Sequence, residues 1–465
     1  MTFSSITFLF YFIPIFLMVY FLPNRQHDRN KVLLFFSIIF YAWGEPVYVF
    51  LMVASIICNW YLGRKIGTVE SRKSRKNWVT LGIVFNIGFL AIFKYASFLL
   101  GSFGLSPFFA ISYTKFLLDL PLPIGISFYT FQAMSYLIDV YRGRFRYEQS
   151  LLDLGAYISM FPQLIAGPIV RYEQIKEELH TDNIDYNKII EGARIFIIGL
   201  SFKVLLANTF AKDADFVFSL NYKEVSLALS WLGAMSYSFQ IYFDFAGYSL
   251  MAIGLGRIIG FTFPINFYVP YISKSITEFW HRWHISLSSW FKDYLYIPLG
   301  GNRRGALITY INLFLVFLIC GLWHGAAWNF VIWGCFHGGF LIAERFLGKF
   351  NFRIPKVISH SYTLIVIIIS WVIFRSGSLY QANGMIEAML GLNTQPAYLG
   401  RQVFDIGYIL MMVVGVCFSV FHVSNDKPPA LKSALFTNAI YGSLFIGCVV
   451  YLVVGTHNPF IYYRF

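Results

Sequence analysis

The sequence predicts an all-α polytopic integral membrane protein, and three observations carry that reading. Hydrophobic residues make up 57% of the 465 residues and charged residues only 13%. A soluble domain carries about 25% charged residues, so this set is too poor in charge to cover a water-exposed surface. Apolar runs of membrane-spanning length recur along the whole chain, which a single leader peptide does not explain. The basic residues gather in short loops between those runs, where cytoplasmic topology signals belong. That placement accounts for the net charge of +13. It also argues against a nucleic-acid partner, because no basic face with base-stacking aromatics lies outside the apolar segments.

The first apolar segment runs from about Ile6 to Leu22 and ends in a basic turn. The next, Val32 to Tyr61, is interrupted at Trp43-Gly44-Glu45-Pro46 and reads as two short helices. Between Arg64 and Lys76 six basic residues face one acidic residue, Glu70. Val79 to Phe93 follows, with a Gly-rich continuation to about Ala110, then Leu122 to Tyr141 and Leu151 to Val170. The second half offers spans at Ile189–Leu206, Val225–Phe243 and Ala246–Phe263. After a polar interruption come Leu307–Trp323, Trp328–Ile342, Ser359–Phe374, Ile406–Phe421 and Ala439–Val454. Several of these are shorter than the ~20 residues a full crossing needs, which points to re-entrant or interfacial pieces. The positive-inside pattern places the loops near 23–31, 62–78, 142–148, 272–304 and 343–356 in the cytoplasm. The stretch 376–404 is the largest candidate for an outward-facing loop. No internal repeat is evident, unlike many secondary transporters.

The five cysteines, Cys58, Cys320, Cys335, Cys417 and Cys448, are scattered singly through apolar stretches and read as small buried hydrophobes. Four polar islands remain: "FPQLIAGPIVRY" with Gln163, "QIYFDFAGYSLMAIGLG" with Asp244, "EFWHRWHISLSSWFKDYLYIPLGGNRRG", and "GLWHGAAWNFVIWGCFHGG" with Trp323, His324 and His337. In the third island Trp280, Trp283, Leu287, Trp290 and Phe291 recur at three-to-four spacing. The periodicity predicts an aromatic amphipathic helix lying in the membrane interface. His284 falls near its apolar side.

An imidazole within a membrane segment is costly unless it has a partner or faces a wet cavity, so such residues are functional candidates. Histidine, with an ordinary pKa of about 6.5, is also suited to taking a proton at neutral pH. His324 therefore reads either as a catalytic base or as a satisfied packing histidine. Gly325, Ala326 and Ala327 beside it would let a substrate approach closely. His337 reads as packing. A metal site would have to combine His281, His284 and His324; no HExxH and no well-placed carboxylate supports one. There is no G-x-S-x-G elbow, and "GLGRIIG" lies inside a membrane segment, not after a strand.

At these residues the sequence resembles the membrane-bound O-acyltransferase (MBOAT) family, in particular its bacterial polysaccharide O-acetyltransferase branch. The resemblance rests on "LPIGISFYTFQAMSYLIDVYRG", "FPQLIAGPIVRY", "YFDFAGYSLMAIGLG", "FWHRWHISLSSWFKDYLYIPLGGNRRG", "LWHGAAWNFVIWGCFHG" and the terminal "FIYYRF", spread from residue 122 to the end, with "SSITFLFYFIPIF" near the start. It implies one membrane-embedded acyltransferase domain over 1–465: N-terminal helices to 120, an MBOAT core over 121–345, and C-terminal helices from 346. It further implies a ring of roughly 11–12 membrane helices, plus re-entrant and interfacial amphipathic helices, around a tunnel. The family's histidine maps onto His324 and the second polar position of this branch onto His284. Leu250 departs from the acidic residue common there, so that position takes no role.

The resemblance then implies a reaction at a bacterial cytoplasmic membrane, with no permanently bound cofactor and no metal. Acetyl-CoA would serve as acyl donor, its phosphates attracted by Lys274, Arg282, Lys292, Arg303 and Arg304. Gln163, Asp244, Asn302, Trp323 and His337 would line the tunnel. His324 would act as general base, with His284 or a backbone amide near Gly325 stabilising the oxyanion. The acceptor would be an extracytoplasmic hydroxyl, either on a polysaccharide such as an alginate-like polymer, cellulose or peptidoglycan, or on an SGNH-like acetyltransferase partner. Two competing expectations are D-alanyl transfer from a carrier protein toward teichoic acid, and a glycan transporter or flippase. The second would predict a pathway richer in Asp, Glu and Arg than these islands offer.

Overall fold

The computed structural model describes residues 1–102, 121–182, 184–350, 354–393, 406–420, 433–455, 458–459 and 461. The Gly-rich continuation toward Ala110, the far part of the 376–404 loop and most of the "FIYYRF" motif lie outside them. Among the described residues every regular element is helical. Six helices among the described residues are long and apolar enough to cross a membrane: Tyr48–Thr68, Arg72–Ser102, Ala306–His324, Trp328–Phe350, Lys356–Arg375 and Leu435–Val454. Phe8–Tyr20 and Ile406–Ser419 are shorter apolar helices. This is a multi-pass all-α membrane protein.

The chain divides into two compact units: Met1–Phe196 with Met251–Pro264, and Ile197–Leu250 with Ile265–Phe465. In the first, α1 (Gln26–Gly44) and α2 (Tyr48–Thr68) are separated at Glu45-Pro46, where the sequence predicts a break. Pro46 cannot donate to a continuing helix, and the Glu45 N–H closes α1 on the Tyr41 carbonyl at 2.9 Å. The amides of Asn59 on α2 and Asn86 on α3 (Arg72–Leu90) exchange hydrogen bonds of 2.8 and 3.3 Å while fully buried. A side-chain bond between membrane helices of this kind contributes about 1 kcal/mol. The expected span from Leu151 to Val170 is instead a nine-residue helix, Leu151–Ser159, followed by a separate turn from Phe161 to Leu164. Pro162 in that turn removes an N–H, and Phe161 seats its ring against Phe8, Phe12, Phe16 and Phe40.

The second unit holds most of the polar islands of the later sequence, although residues 251–264 belong to the first. The two spans expected over Val225–Phe243 and Ala246–Phe263 are one 32-residue helix, α4 (Leu227–Ile258). Asp244 does not break it, because its carboxylate is neutralised by Lys203 at 2.8 Å. The chain turns only beyond α4, where Gly260 takes φ +91°, a left-handed conformation that suits glycine.

The interfacial stretch is not a single amphipathic helix but two short ones, α5 (Ile276–Arg282) and α6 (Ile285–Phe291). The break falls at His284, whose backbone is left-handed at φ 45°, ψ 53°. The extended segment before α5 takes up the backbone groups that the break exposes. Tyr268 N–H donates to the Arg282 carbonyl, and Ile285 N–H donates to the Asn266 carbonyl, both at 2.9 Å. At the start of α5, the Ser275 hydroxyl accepts from Glu278 N–H at 2.9 Å. The Glu344 carboxylate accepts from the N–H groups of Ile276 and Thr277 at 2.6 and 3.0 Å. An anion at a helix N-terminus is favourably placed.

Glu344 belongs to α8 (Trp328–Leu347), which forms a hairpin with α7 (Ala306–His324). The two cross with Gly321 and Gly334 in contact. A Cβ on Gly334 would lie 2.3 Å from the Phe317 carbonyl oxygen, and one on Gly321 would lie 2.3 Å from that of Phe330. Small residues at such crossings let membrane helices approach closely. A further helix, α9 (Lys356–Arg375), contributes Trp371 and Phe374 beside this hairpin.

Candidate active site

His324 is the last residue of α7, where the helix gives way to an extended Gly325. Its ring packs edge-on against Trp323, Trp333 and Phe374, at centroid distances of 4.9, 5.1 and 5.3 Å. It faces a cavity of about 10 Å³, whose walls include Phe245, Trp333, Trp371, Phe374 and Ile461. That space is of the order of a single water.

His284 is fully buried nearby. Its ring stands edge-on to Phe245, a wall of the His324 cavity, at 4.6 Å, and 6.3 Å from the Trp323 ring. The hydrogen-bond network assigns its tautomer. Asn266 Oδ1 accepts from the Ser286 N–H at 3.3 Å and the Ser286 hydroxyl at 2.8 Å, so it is an acceptor toward His284 Nδ1 as well, at 3.0 Å. Nδ1 therefore carries the proton, and Nε2 is left as an acceptor with no hydrogen-bond partner among the described residues. Burial, and secondarily the imidazole of His324, holds the His284 pKa well below the usual histidine range. This residue lies outside the candidate spans and is neutral at physiological pH.

A second cavity, of about 660 Å³, lies beside α5, α6 and the Gly300-Gly301 turn. Its polar lining includes His281, Lys292, Asn302, Arg303 and Arg345, and its apolar side includes Trp280, Phe317 and Cys320. Asn302 and Arg303 are carried on the Gly300-Gly301 turn, in which both glycines have positive φ, and the Asn312 amide anchors that turn on the Gly301 carbonyl at 3.0 Å. Trp280 of this cavity and Trp333 of the His324 cavity pack edge-on 5.7 Å apart.

Of the residues singled out in the sequence, the structure gathers His284, His324 and Trp323 in one cluster, and Lys292, Asn302 and Arg303 around the larger cavity. Lys274, Arg282 and Arg304 are not among its lining residues. The Arg282 guanidinium pairs with Glu278 at 2.9 Å and lies over the Tyr268 ring. His337 Nδ1 accepts from the Trp280 indole at 3.2 Å, a packing arrangement. Gln163 belongs to the first unit, where its amide donates to the Tyr157 carbonyl at 2.6 Å. His281 lines the larger cavity while His284 points into the aromatic cluster, and no group of three or more His, Cys, Asp or Glu able to hold a metal occurs among the described residues. Asn266 and Arg345 join the site without a sequence signal of their own, whereas Ile461 falls within the terminal "FIYYRF". A single Asn near a proline and an Arg at a helix end are both commonplace.

Residues 81–380 match the sequence profile described as MBOAT, membrane-bound O-acyltransferase family. The chain belongs to that family and is a membrane O-acyltransferase. It is 39% identical, over all of both chains, to the probable alginate O-acetylase AlgI of Pseudomonas putida. It is 44% identical to the protein of that name from Pseudomonas aeruginosa, over 85% of this chain and 76% of that one. The peptidoglycan O-acetyltransferase of Helicobacter pylori is 39% identical over 84% of this chain and 80% of its own.

Proposed function

We propose that this protein moves acetyl groups from cytoplasmic acetyl-CoA to a hydroxyl on the far side of the bacterial cytoplasmic membrane. The acceptor is an extracytoplasmic polysaccharide of the alginate type, reached directly or through a secreted SGNH-like acetyltransferase partner. One juxtaposition supports the reading above all: two buried histidines share an aromatic wall beside a cavity rimmed with cationic side chains. Lys292, Arg303 and Arg345 match the phosphates of a nucleotide thioester, and the apolar floor suits its pantetheine arm.

In the reaction, the acceptor oxygen attacks the thioester carbonyl carbon while His324 removes the hydroxyl proton. The C–S bond then breaks, and the thiolate takes that proton back as free thiol, leaving the base neutral. General-base assistance of this kind is worth about 10²–10⁴-fold. Neutral His284 would offer Nε2 as an acceptor for the incoming hydroxyl, and the Trp333 indole N–H, which has no partner among the described residues, would serve as a donor for the oxyanion.

The test is transfer of labelled acetyl from acetyl-CoA by the full chain in lipid nanodiscs, with oligomannuronate and a cognate secreted partner supplied. His324→Ala is expected to lose about 10²-fold or more in kcat while keeping its donor KM. Wild-type protein that neither transfers nor hydrolyses acetyl under these conditions, yet accepts D-alanine from a carrier, would move the assignment to D-alanylation.

A further inference from the structure

We propose that Ile461 completes the His324 cavity as the wall that limits acyl length, and that the buried Lys203–Asp244 pair is the positioning device that keeps it there. The inference rests on His324 standing at the reacting carbonyl, and it names a specificity element for that same site.

Lys203 and Asp244 are buried to 2% exposure each and 2.8 Å apart. A buried ion pair contributes little net stability on its own, because desolvation offsets the attraction. Here its remaining valences are directed to one short segment. Lys203 Nζ donates to the Pro459 carbonyl and, at 2.9 Å, to Asn208 Oδ1. Asn208 in turn donates to Asn458 Oδ1 at 3.1 Å. Asp244 Oδ2 accepts the N–H of Ile461 at 2.8 Å. The segment is thus held by main-chain bonds from both ions, in a place where water cannot substitute. Its product is the placement of one side chain: Ile461 is buried and stands in the wall around His324. The aromatic walls, Trp283, Trp333, Trp371, Phe374 and Phe245, are large rings packed against neighbouring rings. Ile461 and Ile241 are the aliphatic sides of the chamber, and Ile461 is the one that the ion pair holds by its main chain. The space is about that of one water, the size of an acetyl methyl, so each further methylene meets the Ile461 side chain.

The experiment compares kcat/KM for acetyl-CoA and butyryl-CoA with the full chain in nanodiscs. Ile461→Ala is expected to reduce the acetyl-over-butyryl preference by about tenfold or more, the range that one or two methylenes command in an apolar pocket. Asp244→Asn, which slackens the clamp, is expected to shift the preference the same way, while Val453→Ala, at an exposed position, leaves the ratio as in wild type. An unchanged ratio in Ile461→Ala overturns the proposal. Should Asp244→Asn fail to accumulate because Lys203 is left buried and unpaired, Ile461→Ala keeps both charges and decides the matter alone. A merely structural role lowers both donors together and leaves their ratio constant. His324→Ala, which abolishes transfer from either donor, separately tests the base on which the inference rests.

Discussion

His284 combines two costs that rarely coincide in one residue. A left-handed backbone at a non-glycine residue costs about 1–3 kcal/mol and persists only where the surroundings impose it. Here they do so through Asn266, which bonds the ring, the Ser286 hydroxyl and the neighbouring main chain together. The second cost is electrostatic. Because the folded-state pKa of His284 is depressed, the unfolded chain takes up a proton first as the pH falls. Its contribution to stability is therefore complete above about pH 6.5 and is lost progressively below it. The melting midpoint in detergent is expected to drop as pH is lowered from 7 toward 5, and His284→Gln should flatten part of that slope. An identical slope in the variant would show that other groups account for the acid sensitivity. Both histidines stood out in the sequence as candidates, since an imidazole within or beside an apolar run needs a partner or a wet cavity. Asn266 did not, because the property that matters, an acceptor held 3.0 Å from Nδ1, arises only once the chain folds back on itself.

At the level of elements, periodicity proved a good guide to which faces are buried and a poor one to where helices stop. The aromatic spacing runs without interruption across Trp283 and His284, yet α5 and α6 are separate. Side-chain periodicity carries no information on the sign of φ at one residue. The continuous α4 shows the converse, since a charge that reads as an interruption is silenced by a partner far away in the chain. The α7–α8 crossing gives a direct test. A side chain at Gly334 must displace the Phe317 main chain, and overpacking of this kind costs about 1–3 kcal/mol. Gly334→Val is expected to lower the melting midpoint in detergent and to reduce transfer with it, since His324 ends α7. Gly339→Val on the same helix, where a Cβ meets nothing within 4 Å, should behave as wild type. Equal effects at the two positions would contradict the close-crossing account.

For the whole molecule, composition and the recurrence of apolar runs established the class. Apolar content marks burial in protein and burial in lipid alike. Ile126–Arg142 illustrates this: it reads as a span, yet most of its side chains are buried against protein. Orientation can be tested on a cysteine-free background. Single cysteines placed at Lys73 and at Lys349 are expected to react with a membrane-impermeant maleimide in inverted vesicles and not in right-side-out ones. Labelling from the outside at both would invert the proposed direction of acyl movement.

The chamber around His324 also has an order of assembly. Lys203, Asp244, His324 and Ile461 emerge from the ribosome in that sequence, at about 5–20 residues per second. For an interval on the order of ten seconds, the histidine is already in place while the side chain that walls its cavity has yet to be made. The two ions thus wait in the nascent protein for the segment they hold, and the site is sealed only once that segment has been made.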